Sequence, residues 1–161
     1  MRNLLYKKWM KSGMGIVVAV VLMLNILTYM VSVVRYYGDG MEPALKGGQV
    51  LLINKISDVS EGDIIAFYYN NKVLVRRVIC EGGKTLSISQ DGVVTVNGAV
   101  LEEPYVDKAS IGQCDITFPY MVIRNHVFVM GDQREIAMDS RLKAIGVIPE
   151  DNIIGKVMFA W

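Results

Sequence analysis

The sequence has few of the residues that bind metals or cross-link small domains. Its 161 residues include two cysteines and one histidine. Cys80, Cys114 and His126 show no metal-ligand spacing, and two cysteines are too few for a disulfide framework. We therefore expect no metal and no cofactor. If the domain is extracytoplasmic, the two cysteines could pair across 35 residues. Two buried apolar thiols are an equally good interpretation.

Charged residues are also scarce, and acidic ones are absent from the first 34 positions. Charged residues make up 20% of the chain and apolar residues 52%. A soluble domain of this size is usually more charged, so we expect some apolar surface to contact the membrane lipid bilayer. Residues 35–161 hold 13 basic and all 16 acidic residues, a net charge of −3. Because phosphate binding needs a basic face, this balance excludes nucleic acid as a partner.

A long run without charge lies near the N-terminus. Residues 12–34 are SGMGIVVAVVLMLNILTYMVSVV. A helix of about 20 apolar residues is long enough to cross a bilayer. A cleaved signal peptide would have a shorter apolar run ending in a small-x-small site, and no such site is evident. Four basic residues precede the run and only Arg35 directly follows it, which predicts a cytoplasmic N-terminus.

These observations predict a single-pass protein of the cell membrane in three parts. We expect a basic cytoplasmic tail over 1–11, a transmembrane signal-anchor helix over 12–34 and an extracytoplasmic domain over 35–161. Tyr36 and Tyr37 are expected at the outer interface, where amphipathic rings are favoured.

The outer domain has the pattern of a mainly β fold. Short runs rich in valine, isoleucine and tyrosine are separated by glycine and asparagine turns. Strands are predicted over 49–54, 63–69, 73–80, 85–89, 93–96, 126–130 and 155–161. Many short strands of this kind predict a folded β-barrel or a sandwich, although the pattern does not order them.

Four motifs follow the apolar run. They are GDGMEPAL at 38–45, VRRVI at 75–79, VTVNG at 94–98 with LEEPY at 101–105, and MGDQREIAMDSR at 130–141. Together with the N-terminal segment, they resemble the Gram-positive form of the type I signal peptidase family. The resemblance covers essentially the whole chain.

The resemblance implies a serine peptidase whose catalytic groups are missing here. In the family, a serine hydroxyl attacks after a buried neutral lysine removes its proton, and a second hydroxyl hydrogen-bonds that lysine. Gly40 stands at the serine position, Arg76 at the lysine position and Ala137 at the second hydroxyl. Glycine offers no attacking atom, and an arginine with a pKa above about 12 is no base at neutral pH. The chain is therefore interpreted as a pseudoenzyme with no intact catalytic residue.

Two further sets of residues are carried over from the resemblance. A groove for an extended polypeptide, either a signal peptide or a pilin segment, is expected at Asp39, Gly40, Met41, Pro43 and Arg76. A structural loop with Asp–Arg pairing is expected at Gly131, Asp132, Arg134, Asp139, Ser140 and Arg141. Family geometry further suggests an ion pair between Asp39 and Arg76.

The leading functional hypothesis is a non-catalytic membrane protein that binds an extended polypeptide and assists a process such as pilin assembly. One alternative is an active type I signal peptidase, a serine-type endopeptidase that removes signal peptides by an altered site. Another is an adhesive or scaffolding β domain without a peptide groove. The sequence leaves the oligomeric state open.

Overall fold

The polypeptide begins with a helix that runs directly into a strand. The structure, a computed structural model, describes residues 2–161, with side chains from residue 14 onward. Helix α1 spans Arg2–Met30, and strand β1, Val31–Arg35, follows without a loop. The last four residues of the apolar run 12–34 are therefore strand rather than helix. Three of those four are valines, which favour extended backbone, and all four pair with the next strand.

The described side chains of α1 do not pack against the β domain. All of them, from Met14 to Met30, are exposed, although most are apolar. Within the described part of the chain, no helix combines the length and the hydropathy needed to cross a membrane.

The rest of the chain is almost entirely β. The strands after β1 are β2 Val50–Asn54, β3 Ile64–Tyr69, β4 Lys72–Glu81, β5 Thr85–Ile88, β6 Val94–Val96, β7 Ala99–Val100, β8 Tyr120–Met121, β9 His126–Met130, β10 Ile148–Pro149 and β11 Ile153–Ala160. A short 3-10 helix, Glu150–Asn152, precedes β11. The seven predicted strands correspond to seven of these, with bounds that differ by two residues at most. Sequence reasoning missed β1 and the two-residue strands β7, β8 and β10.

The strands form two antiparallel sheets, which confirms the mainly β class. The larger sheet has the order β1-β2-β11-β3-β4-β9-β10, and the smaller sheet has the order β7-β6-β5-β8. Because β1 and β10 are the edges of the larger sheet, that sheet is open, and the closed arrangement allowed by the sequence prediction is not seen.

Strand β4 connects the two parts of the core. Its residues Ile79 and Cys80 pack in a cluster with Leu86 and Phe128, where the smaller sheet meets the larger one. Its Val75 belongs to a second cluster beneath the segment that follows β1. The centre of β4 is therefore held from both sides, and Arg76 lies in that rigid stretch.

The two cysteines are free thiols, so the pairing considered from the sequence does not occur. Cys80 is fully buried and Cys114 is partly buried. Burial raises the pKa of Cys80 to about 11, which keeps this thiol in its neutral form at neutral pH.

Candidate functional site

Arg76 is a buried cation at the centre of β4. Its side chain is hydrogen-bonded to main-chain carbonyls, from Nε to Met138 at 2.9 Å and from Nη1 to Val75 at 2.6 Å. Burial lowers the pKa of Arg76, although guanidinium groups remain protonated in proteins. No carboxylate of the described residues lies within ion-pair distance of it. Arg76 is thus a buried charge that donates its hydrogen bonds to main-chain carbonyls, and the hydroxyl of Tyr36 and the carboxylate of Asp139 are close enough to stabilise its charged form.

Gly40 lies directly against this guanidinium. A Cβ atom added at Gly40 would lie 3.2 Å from Nη2 and 3.3 Å from Cζ of Arg76. The carbonyl of Gly40 accepts a hydrogen bond from the N–H of Gln133 at 3.1 Å, which ties this turn to the loop after β9. The structure therefore brings together two positions that are 36 residues apart in the sequence, one without a side chain and one with a large cation.

Gly131 is packed between the other two parts of the site. A Cβ atom at Gly131 would collide with the carbonyl oxygen of Gly40 and with Cβ of Ala137. Ala137 is buried, and its methyl group offers no hydrogen bond. Gly40, Arg76 and Ala137, the three positions to which the resemblance assigns the missing catalytic groups, thus lie around one point.

A groove of about 420 Å³ opens over these residues. Its walls are the segment after β1, the hairpin of β3 and β4, and the loop after β9. It is lined by Tyr36, Tyr37, Gly38, Asp39, Gly40, Tyr69, Asn70, Lys72, Val73, Leu74, Val75, Arg76, Ile136, Ala137, Met138 and Ile145. In the described part of the chain, this lining contains no serine, threonine, cysteine or histidine. A larger cleft of about 590 Å³ near Lys55, Glu81 and Arg124 includes none of the predicted site residues.

The five residues expected in the groove are placed differently. Asp39, Gly40 and Arg76 line it. Met41 is fully buried in the core cluster with Val75. Pro43 is exposed and is not part of the lining.

The suggested ion pair between Asp39 and Arg76 is wrong. Neither residue takes part in any ion pair found among the described residues. Asp39 is exposed, and its Oδ1 faces Gly47, where a Cβ atom would be 3.6 Å away. Leaving Asp39 in water avoids the cost of desolvating its carboxylate.

Tyr36 lines the groove, and its predicted position at the membrane interface is wrong. It was expected at the membrane interface, yet it is only 4% exposed and packs in the cluster with Met41 and Leu51. Its hydroxyl lies beside the guanidinium of Arg76 but outside the geometry of a full hydrogen bond, and it has no other partner among the described residues. Burial raises the pKa of Tyr36, and the nearby charge of Arg76 opposes that shift. The alternation of buried and exposed residues in an extended segment, Tyr36 in and Tyr37 out, is the signal that could have found it.

The loop after β9 is clamped by a buried ion pair. Arg141 donates to Asp139 from Nε to Oδ1 at 2.8 Å and from Nη2 to Oδ2 at 2.7 Å, with both side chains fully buried. The N–H of Gly131 also donates to Oδ2 at 3.0 Å, and Nη1 of Arg141 donates to the carbonyl of Ile111 at 2.8 Å. Asp139 therefore forms no ion pair with Arg76, although its charge still stabilises the guanidinium.

A second ion pair joins this loop to β4. Arg77, the neighbour of Arg76, donates to Asp132 from Nε at 2.8 Å and from Nη2 at 2.6 Å. Its Nη1 donates to the carbonyl of Gly62 at 2.8 Å, and its Cζ lies 3.9 Å from the ring centre of Tyr105. The sequence motifs contained Arg77 and Tyr105 but gave no indication of this contact.

The remaining loop residues have structural contacts. Arg134 donates to both carboxylate oxygens of Glu103, a partner that sequence reasoning missed, and from Nε to the carbonyl of Gly131 at 3.2 Å. Ser140 is buried, and its Oγ accepts the N–H of Val129 at 3.0 Å. These contacts fix the loop and leave the groove without a free hydroxyl from Ser140.

Comparisons with known proteins found similar sequences along almost the whole chain. A family model described as "Signal peptidase, peptidase S26" matches residues 7–161. The chain is 31% identical to "Signal peptidase I T" of Bacillus subtilis, over 97% of this chain and 85% of that protein. It is also 31% identical to "Signal peptidase IB" of Staphylococcus aureus, over 90% and 85%.

A solved structure shows the same fold. The crystal structure of a signal peptidase I from Enterococcus faecalis V583 superimposes with a TM-score of 0.54 at 25% identity. The match covers 64% of this chain and 99% of the crystallised one.

The buried pair predicts a large loss of stability on neutralising Asp139. Asp139→Asn keeps the side-chain volume but leaves Arg141 buried without its anion, which should cost about 3–5 kcal/mol. Urea unfolding of the full chain in a neutral detergent measures this loss. The matched control is Glu135→Gln, which breaks the exposed pair with Lys108 and should not change the midpoint. Equal midpoints for both variants would contradict the clamping role.

Proposed function

The chain belongs to the signal peptidase family S26, and from this premise we propose that it is a non-catalytic member that binds an extended polypeptide in the groove over Gly40. The observation that carries the proposal is the contact between Gly40 and Arg76. An attacking oxygen and a neutral amine are what the family's chemistry needs at those two positions.

Neither requirement is met by the residues present. Gly40 has no side-chain atom that could form an acyl intermediate. Arg76 is held by two carbonyl oxygens, which accept hydrogen bonds from its cationic form and disfavour proton loss. A guanidinium in this state has no free electron pair to remove a proton.

The groove itself supports the binding part of the proposal. It is open to solvent and is walled by Tyr69, Val73, Leu74 and Met138, and residues 37–39 of the segment after β1 are exposed. Apolar walls with main-chain donors and acceptors are suited to an extended peptide, whose recognition rests on backbone hydrogen bonds and shallow pockets. This mode of binding does not need a nucleophile.

Two other functions were considered from the sequence. An active signal peptidase with an altered site would need another nucleophile, and the described lining of the groove offers no serine, threonine or cysteine. An adhesive β domain would have no reason to keep a groove of about 420 Å³ at this position. Titration with peptides, followed by NMR, distinguishes the adhesive domain from the proposed function. Only a peptide-binding groove would give saturable chemical-shift changes at Gly40 and Arg76.

Restoring the dyad tests the proposal directly. We expect Gly40→Ser combined with Arg76→Lys to raise cleavage of a signal-peptide substrate by at least about a hundredfold over the unaltered protein, since a nucleophile and its base act as a unit. Gly40→Ser alone should stay inactive. The Cβ atom of the serine would lie 3.2 Å from the guanidinium of Arg76, and the serine hydroxyl would still have no base to remove its proton.

The matched control for this experiment is Gly40→Ala with Arg76→Lys, which supplies the base without the nucleophile. Adding Ala137→Ser to the active pair should raise the rate further by restoring the second hydroxyl. A double variant that folds and binds peptide but does not cleave it would contradict the assignment of Gly40 and Arg76 to the family's serine and lysine positions.

We further propose that the apolar run anchors the protein in the cell membrane once. In this proposal residues 1–11 are cytoplasmic, residues 12–34 include the anchor and residues 35–161 work outside. The support is the exposed apolar surface of α1 from Met14 to Met30, which nothing in the described chain covers. The basic residues before the run set the orientation.

Charges placed in the run test this anchor. Val20→Arg with Leu24→Arg should release the protein from membranes in alkaline carbonate, since each arginine costs about 2.5–3.5 kcal/mol at the centre of a spanning helix. Ile56→Arg, at an exposed position of the β domain, should leave the protein in the membrane. Release of the unaltered protein by carbonate would contradict the proposal.

The physiological partner that we propose is a pilin segment handled during pilus assembly. The support is the loss of the dyad in a family member that retains its peptide-sized groove. Deletion of the gene should reduce polymeric pilins on the cell surface, measured by immunoblotting of cell-wall extracts. Complementation with Arg76→Gln should fail, and complementation with Lys72→Gln, at the exposed rim, should succeed. Normal pilin polymers in the deletion strain would contradict this role.

A further inference from the structure

The groove contains an excess of buried positive charge. Arg76 is 7% exposed, and the nearest carboxylate that acts on it, Asp139, already forms two hydrogen bonds with Arg141. These three groups together have a net charge of +1. An uncompensated buried charge is unfavourable, and pairing with an anion reduces this cost.

Part of the guanidinium is still available for such an anion. Nε and Nη1 of Arg76 donate to the chain itself, whereas Nη2 has no acceptor among the described residues. Nη2 is also the atom nearest to the missing side chain of Gly40, at 3.2 Å from the position of a Cβ atom. The absent side chain therefore leaves a free donor facing the groove.

A second unused donor lies on the same wall. The hydroxyl of Tyr36 is buried and is the one buried side-chain polar atom without a hydrogen-bond partner in the described part of the chain. Tyr36 lines the groove together with Arg76. A Cβ atom added at Gly38 would lie 3.9 Å from this hydroxyl, so the glycine leaves that side of the hydroxyl without a side chain. An orphaned buried hydroxyl points to a partner that the chain does not supply.

We propose that Arg76 and Tyr36 form a carboxylate-binding site, which takes a carboxylate of the polypeptide bound in the groove. A cation with an N–H donor beside a neutral O–H donor matches the charge and the acceptor geometry of a carboxylate. This inference rests on the proposed peptide-binding function and names the chemical group that is recognised. The carboxylate belongs to the peptide C-terminus or to an acidic side chain.

The other charges at the groove act on a bound carboxylate only through solvent. Asp39 lies on the exposed rim and would repel a carboxylate weakly through solvent, whereas Lys72 is an exposed cation that would attract any anion. Neither is buried, so screening by salt removes their effects while the effect of Arg76 remains.

Three peptides of one alanine-rich sequence test the site with the full chain in a neutral detergent. The first has a free C-terminal carboxylate, the second a C-terminal amide, and the third an amide with one internal glutamate. Calorimetry should show at least about tenfold tighter binding of one carboxylate-bearing peptide than of the plain amide. Whichever of the two binds more tightly identifies the source of the carboxylate.

Variants locate the effect. Arg76→Gln should abolish the preference for the carboxylate, and Tyr36→Phe should reduce it several-fold. Because Arg76→Gln alters a buried group and could unfold the domain, Gly40→Val provides a second test. Its side chain would cover the guanidinium without removing the charge. The matched control Lys143→Gln removes an exposed cation outside the groove lining and should keep the preference.

Acetate provides a probe that does not depend on peptide binding, read by NMR at the backbone amides of Gly40 and Arg76. Equal affinity for all three peptides, with no acetate shifts, would overturn the carboxylate site and leave the peptide-binding function standing. Acetate shifts without binding of any peptide would support the anion site and contradict the peptide-binding function. No response to any probe would overturn both.

Discussion

The close approach of the Gly40 backbone to the guanidinium of Arg76 is the constraint on which the functional reading depends. A side chain larger than hydrogen at position 40 would meet the cation at 3.2–3.4 Å. The absence of a side chain at Gly40 therefore leaves room for the guanidinium of Arg76, which occupies this space. A serine at 40 beside an arginine at 76 would be both crowded and without a base.

The packing around this contact does not depend on a catalytic serine or lysine. The buried pair of Asp139 and Arg141 stabilises the loop that contains Ala137. Gly131 has no side chain, which allows this loop to pack closely against Gly40. Such contacts stabilise a fold whether or not a reaction occurs within it. In the proposed function, this separation allows a family member without a nucleophile or a base at these positions to bind a peptide.

Much of this fold could be predicted from local pattern, and the exceptions have physical causes. Seven of the strands follow from β-branched runs between glycine and asparagine turns. Strand β1 was missed because its valines continue an apolar run, and only pairing with β2 makes them strand. The proximity of Gly40 and Arg76 was implied only by the resemblance to the family. The orphaned hydroxyl of Tyr36 and the exposed position of Asp39 depend on tertiary packing, which the pattern of residues does not contain.

The most direct measurement is the turnover of a signal-peptide substrate by the purified, unaltered chain, followed by mass spectrometry from neutral to alkaline pH. The account predicts no cleavage products and no covalent adduct on the protein at any pH at which the fold persists. It also predicts that the rate matches that of Gly40→Ala. Cleavage that survives purification and is lost on substituting a residue of the groove would contradict the account.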